Sequence, residues 1–141
     1  MVLIRPATEA DFPTIKRLLR IGELPLFDVK WQHFLVADIE GEIVGVGQIR
    51  QHSQTRELGS LVVLPEYRNQ GVASRLIDAL EAKAGFPLYL FCQENMQPYY
   101  ARFGYQTVQD ARTIPGSMRL KARLLILARR FGISALVMRK G

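Results

Sequence analysis

"LPEYRNQGVASRLIDAL", residues 64–80, sets an apolar strand end, a short polar turn and an amphipathic helix in immediate succession. Pro65 lacks an N–H and closes off strand pairing at the end of "RELGSLVVL". Ala73, Leu76, Ile77, Leu80 and Ala84 then recur at the spacing of one helix face, and Gly85 and Pro87 end it. The first turn of a helix leaves backbone N–H groups without partners, and the helix dipole adds partial positive charge there. Such a turn attracts anions, phosphate above all. Gly71 and Ala73 keep its surface low, and Arg68 can supply charge or brace the loop. Neither Gly-Lys-Ser/Thr nor Gly-x-Gly-x-x-Gly occurs, so the P-loop and dinucleotide fingerprints are absent. The spacing alone leaves two readings open, an anion cradle and a plain capped turn.

Working outward, "VLIR" reads as a strand and Ile15, Leu18 and Leu19 as the apolar face of a helix with Pro13 in its first turn. "HFLVADIEGEIVGVGQIRQH" reads as a hairpin turning at Glu40-Gly41, with strands over 33–39 and 43–51. Downstream, "LYLFC" is a buried-type strand, "PYYARF" a short helix stopped by Gly104, "YQTV" a strand, 117–131 a helix and "SALVMRK" a last strand. The predicted order is β-α-β-β-β-α-β-α-β-α-β. This is an α/β fold with a single mixed, mostly antiparallel central sheet flanked by helices, in one domain over residues 1–141.

Composition narrows the function classes. A chain of 141 residues with 48% hydrophobic and 23% charged residues is ordinary for a globular domain. The single cysteine, Cys92, excludes an internal disulfide and fits a reducing, cytoplasmic setting. With only His33 and His52 besides, no metal site is expected. The longest apolar run, "LLILA", falls far short of the ~20 residues that span a bilayer, so no transmembrane segment is expected. Eight of the 19 basic residues lie after Ala111 and none of the 13 acidic ones does, which leaves 11 against 13, a net of −2, over residues 1–111. Basic character therefore belongs to the tail, which argues against a protein-wide nucleic-acid surface.

Taken in order, "ELGSLVVLPEYRNQGVASRLIDAL", "PLYLFC" and "NMQPYYARFGYQTV" resemble the GNAT superfamily of acyl-CoA-dependent N-acetyltransferases. "IRPATEADFPTI" and "FLVADIEGEIVGVGQI" look like that family's first strand–helix unit and next two strands, so the resemblance runs over residues 3–108. It implies transfer of an acetyl group from acetyl-CoA to a primary amine by direct attack. The acceptor, a small molecule or a protein amine, is left open. The other reading is a non-catalytic acyl-CoA-binding or regulatory module on the same fold.

The resemblance also assigns residues. The coenzyme A pyrophosphate would rest on the backbone N–H groups of Arg68, Asn69, Gln70, Gly71, Val72, Ala73 and Ser74. The pantetheine arm would pair like an added strand with Leu61, Val62 and Val63. Asn95 would contact the cofactor, or else serve as a helix N-cap. Tyr100 stands where the family's tyrosine protonates the leaving thiolate, with adjacent Tyr99 facing elsewhere. Glu57, eleven residues before Arg68, matches the catalytic glutamate of the family's histone-modifying branch and is the candidate base, its bland alternative being a polar strand end. His52 is a weaker candidate base, and His33, Cys92 and Trp31 read as structural.

The helix predicted over 117–131 departs from the family pattern as an insertion. Leu120, Leu124, Leu127 and Phe131 share one side, with Arg119, Arg123 and Arg130 assigned to the other. It reads as a helix docked on the sheet with a solvated basic face. Dimerisation through the apolar side stays open, as does an acidic partner or nucleic acid at the basic 112–130 segment, which is not favoured.

Overall fold

The computed structural model describes residues 1–128, 131–132 and 134–141. Seven strands, β1 (Leu3–Pro6), β2 (Phe34–Ile39), β3 (Glu42–Gln51), β4 (Arg56–Val63), β5 (Leu88–Gln93), β6 (Gln106–Thr107) and β7 (Ala135–Lys140), form one sheet in the order β1-β2-β3-β4-β5-β7-β6. Helices α1 (Phe12–Ile21), α2 (Val72–Ala84), α3 (Gln97–Ala101) and α4 (Gly116–Ala128) intervene in the order expected. The pairs β1·β2, β2·β3, β5·β7 and β6·β7 are antiparallel. The fold class is the flanked, mixed sheet that the sequence predicts. The chain divides into two compact units, Met1–Ile49 with Leu58–Ala84, and Arg50–Glu57 with Gly85–Gly141.

In the first unit, Glu40 and Gly41 both take positive φ, 49° and 88°, the two-residue turn that matches the twist of a hairpin. Asp38 Oδ1 accepts from the Gly41 N–H at 2.7 Å and secures it. Arg5 ties β1 to the start of α1 through Asp11 (2.8 Å) and to β2 through Asp38 (3.1 Å). Ile15, Leu18 and Leu19 are wholly buried, as their spacing requires. Gly22 caps α1 at φ −80°, so conformational freedom is not its purpose. A Cβ there would meet Val62 Cγ2 at 2.8 Å, and it is Glu23 that takes the left-handed turn (φ 56°). Gly45 and Gly47 on β3 let α2 approach, since a Cβ at each would lie 2.9 Å from Leu76 Cδ1 and 2.8 Å from Leu80 Cδ1.

In the second unit, α4 packs through Met118 and Ala122 into a cluster with Tyr89 and Ile114, flanked by Phe91, Val108 and Val137. This corrects the docking expected from the leucine pattern. Leu120, Leu124, Leu127 and Phe131 are 70%, 58%, 50% and 81% exposed, and Arg119 and Arg123 are exposed beside them. The physical reason is size. Tyr89 and Phe91 fill the space above the sheet, and the small Ala122 lets the helix axis come close. Of the helix predicted over 117–131, α4 describes Gly116–Ala128. Arg129 and Arg130, counted on the basic face, lie outside the described residues.

Candidate active site

The predicted cofactor residues of the first unit occupy the end of β4, the following loop and the first turn of α2. Leu64 gives way to a short 3-10 turn, Pro65–Tyr67, before Asn69 (φ 62°) and Gly71 (φ 81°) enter the left-handed region. Gly71 is required there by conformation, because a Cβ would meet nothing within 4 Å. The first backbone bond of α2 runs from the Arg75 N–H to the Gly71 carbonyl (3.1 Å). Among the described residues, no backbone carbonyl accepts from any N–H between Asn69 and Ser74. Arg68, Asn69, Gln70 and Gly71 are exposed, Ala73 and Ser74 half-buried and Val72 buried. Arg68 Nε donates to the Val63 carbonyl at 3.3 Å and Gln70 Nε2 to the Glu66 carbonyl at 3.1 Å, so both side chains brace the loop. The result is a row of unpaired amides at a helix start, shaped for an anion.

Just upstream, Ser60 sits at φ 54° inside β4, a left-handed residue that interrupts the regular alternation of the strand. Its hydroxyl accepts from Gln48 Nε2 at 2.9 Å. Gln48 is fully buried and its Oε1 has no partner among the described residues. Leu61 and Val63 are half-buried and Val62 is 5% exposed.

The remaining predicted residues belong to the second unit. Tyr100 on α3 packs edge-on against Tyr99 (5.1 Å) and Tyr105 (6.3 Å). Burial first, then the nearby Tyr99 and Cys92, push its pKa well above the ordinary phenol value, so the phenol holds its proton throughout the neutral range. Burial likewise lifts the Cys92 thiol to about 11. A group in that state packs rather than attacks. Asn95 is exposed and lines an open pocket of about 610 Å³ with Gln93, Glu94, Gly132 and Ser134. Trp31 and His33, which belong to the first unit, are half-buried.

Glu57 is the centre of a charged cluster. It is 2% exposed, and its carboxylate accepts from Arg50 Nη1 (3.2 Å), from Lys121 Nζ with both oxygens (2.9 and 3.1 Å), and meets His52 Nε2 at 3.0 Å. The Lys121 ammonium also lies 4.3 Å from the centre of the Phe91 ring. The sequence readings missed Arg50 and Lys121. Arg50 was findable, since a hairpin ending in "RQHSQTRE" sets strand residues of opposite charge close together. Lys121 was not, because it reaches Glu57 across 64 residues of chain.

Among the described residues no group of three or more His, Cys, Asp or Glu is placed to hold a metal, and no helix is long and apolar enough to cross a membrane. Comparison with known proteins places the chain in a family. The chain matches the acetyltransferase (GNAT) domain family over residues 30–107. It is 30% identical over 109 residues to the UPF0039 protein C11D3.02c of Schizosaccharomyces pombe, covering 72% of this chain and 73% of that one. It is also 36% identical over 73 residues to the mycothiol acetyltransferase of Paenarthrobacter aurescens, a match covering 49% of this chain but only 23% of that protein. In fold it is similar to the N-acetylglutamate synthase of Neisseria gonorrhoeae crystallised with coenzyme A and N-acetyl-glutamate (TM-score 0.80, 22% identity), covering all of this chain and 35% of that one. With the domain match extending over more than half its length, the chain belongs to the GNAT family of acetyltransferases.

Proposed function

We propose that the protein transfers an acetyl group from acetyl-CoA to a primary amine by direct attack of the amine on the thioester, as a single acetyltransferase domain over residues 1–141. The row of unpaired amides from Asn69 to Ser74 is the observation that carries this reading. It offers the coenzyme A pyrophosphate several N–H donors at the positive end of a 13-residue helix. Leu61, Val62 and Val63, following the break at Ser60, supply strand backbone for the amides of the pantetheine arm. Asn95 is a further cofactor contact.

Two proton transfers complete the reaction. An amine attacks only as the neutral base, and alkylamines are mostly protonated at neutral pH. The cluster around Glu57 supplies the base. The departing thiolate needs a proton, and the Tyr100 phenol, which carries one throughout the neutral range, gives it. The crystallised relative with N-acetyl-glutamate shows an amino-acid product in that protein, which places free amino acids first in an acceptor screen here.

Thermal melting tests the cradle directly. Coenzyme A at a hundredfold excess over its Kd should stabilise the protein by about 2.7 kcal/mol. Pantetheine, which lacks the pyrophosphate, should leave the melting temperature nearly unchanged. Equal stabilisation by the two would remove the loop from the binding site.

A further inference from the structure

We propose that His52, rather than Glu57, takes the proton from the acceptor amine, and that Glu57 is the residue that positions it. This rests on the acetyl-transfer reading above.

An ionised carboxylate offers about four lone-pair positions and no donor. Glu57 has four contacts at hydrogen-bond distance, one from Arg50, one from His52 and two from Lys121. At 2% exposure it is also closed to a substrate. For Glu57 to accept the amine's proton, one of these contacts would have to break inside the cluster. His52 is placed differently. Its side chain is 21% exposed, and its Nδ1 has no hydrogen bond among the described residues. Its backbone N–H donates to the Thr55 carbonyl at 2.9 Å, fixing the turn between β3 and β4 that carries the ring.

The charges around the ring decide which nitrogen is bare. Arg50 from β3 and Lys121 from α4 flank the carboxylate and donate to both of its oxygens. An acceptor-only carboxylate requires a proton on the ring nitrogen that faces it, here Nε2. A neutral imidazole then has its lone pair on Nδ1. Lys121, lying over Phe91, holds the carboxylate from the α4 side, so the inserted helix takes part in positioning the base. When Nδ1 gains a proton, Glu57 compensates the new positive charge, the service a carboxylate gives a histidine in hydrolase triads.

The step balances within the proposed reaction. The ammonium proton of the acceptor passes to Nδ1, and the nitrogen lone pair forms a bond to the thioester carbonyl carbon. The C–S bond breaks with its electron pair on sulfur, and the Tyr100 phenol protonates the thiolate. The second proton on the attached nitrogen leaves to solvent, as does the one on His52, and solvent restores the phenol.

Two measurements test the assignment. Nitrogen-15 NMR of the His52 ring, assigned with a His33→Gln variant, should show Nε2 protonated and Nδ1 bare at mildly alkaline pH. Glu57→Gln should mix the two tautomers. A proton resident on Nδ1 would overturn the proposal. The second is the pH profile of kcat/KM with the best acceptor from a panel of free amino acids and spermidine. His52→Gln and His52→Asn should each lower kcat/KM about 100-fold and lose the acidic limb, with the coenzyme A melting shift retained. Transfer that survives both variants with the wild-type profile overturns the base assignment alone. Failure of the wild-type chain to acetylate any amine in the panel overturns the acetyl-transfer reading and the base with it.

Discussion

Tyr100, proposed as the acid, shows how packing sets the protonation state of a side chain. Two aromatic neighbours crowd it, and burial holds the proton on the phenol throughout the neutral range. Tyr100→Phe should lower kcat about 100-fold or more while leaving the coenzyme A melting shift intact. Unchanged turnover would remove Tyr100 as the acid. Cys92 gives the contrasting case. With its pKa at about 11, a thiol near pH 8 should be alkylated by iodoacetamide roughly a hundredfold more slowly than a free cysteine. Rapid labelling would contradict its burial. Asp11 links charge to stability. The hydrogen bond from Arg5, then those from Thr8, hold its carboxyl at about 2 against an ordinary 3.8. Its contribution is therefore complete above about pH 4 and is lost as the pH falls toward 2. Asp11→Asn should lower Tm at neutral pH by a margin that shrinks below pH 4. A constant margin down to about pH 2 would contradict the ion pair with Arg5.

Elements were legible in the sequence to different depths. The α1 stripe named its buried face correctly, and so did the α2 stripe apart from Ala73, which is half-buried where Val72 is buried. The α4 stripe did not. Period alone marks Leu120, Leu124 and Leu127 as a face, but it cannot say that Met118 and Ala122 are the residues that pack beside Tyr89 and Phe91. Met118→Ala should therefore cost about 2–5 kcal/mol and Leu124→Ala no more than about 0.5. Chemical denaturation separates the two, and a reversed order would restore the leucine face as the docked one. In the phosphate loop, Gly71→Ala tests conformation without a clash, since its Cβ would meet no atom within 4 Å. Holding φ at +81° should cost about 1–2 kcal/mol and weaken coenzyme A binding as the loop relaxes.

Across the whole molecule, local signals carried the order of strands and helices and the place of the anion loop. A turn, a breaker and a periodic face each announce themselves within a few residues. The charged cluster was half visible. Glu57 and His52 stand out as residue types near a hairpin end, but Lys121 joins them only through the docking of α4, which no local pattern specifies. The acceptor lies further still from the sequence, since it depends on surfaces assembled from loops. One measurement bears on the central claim directly: release of free thiol from acetyl-CoA over a panel of amines, with the product identified by mass. The expected result is amine-dependent thiol release matched one-for-one by an N-acetylated product. Stabilisation by coenzyme A with no thiol released from any amine would contradict it and leave a module that binds the cofactor without catalysis.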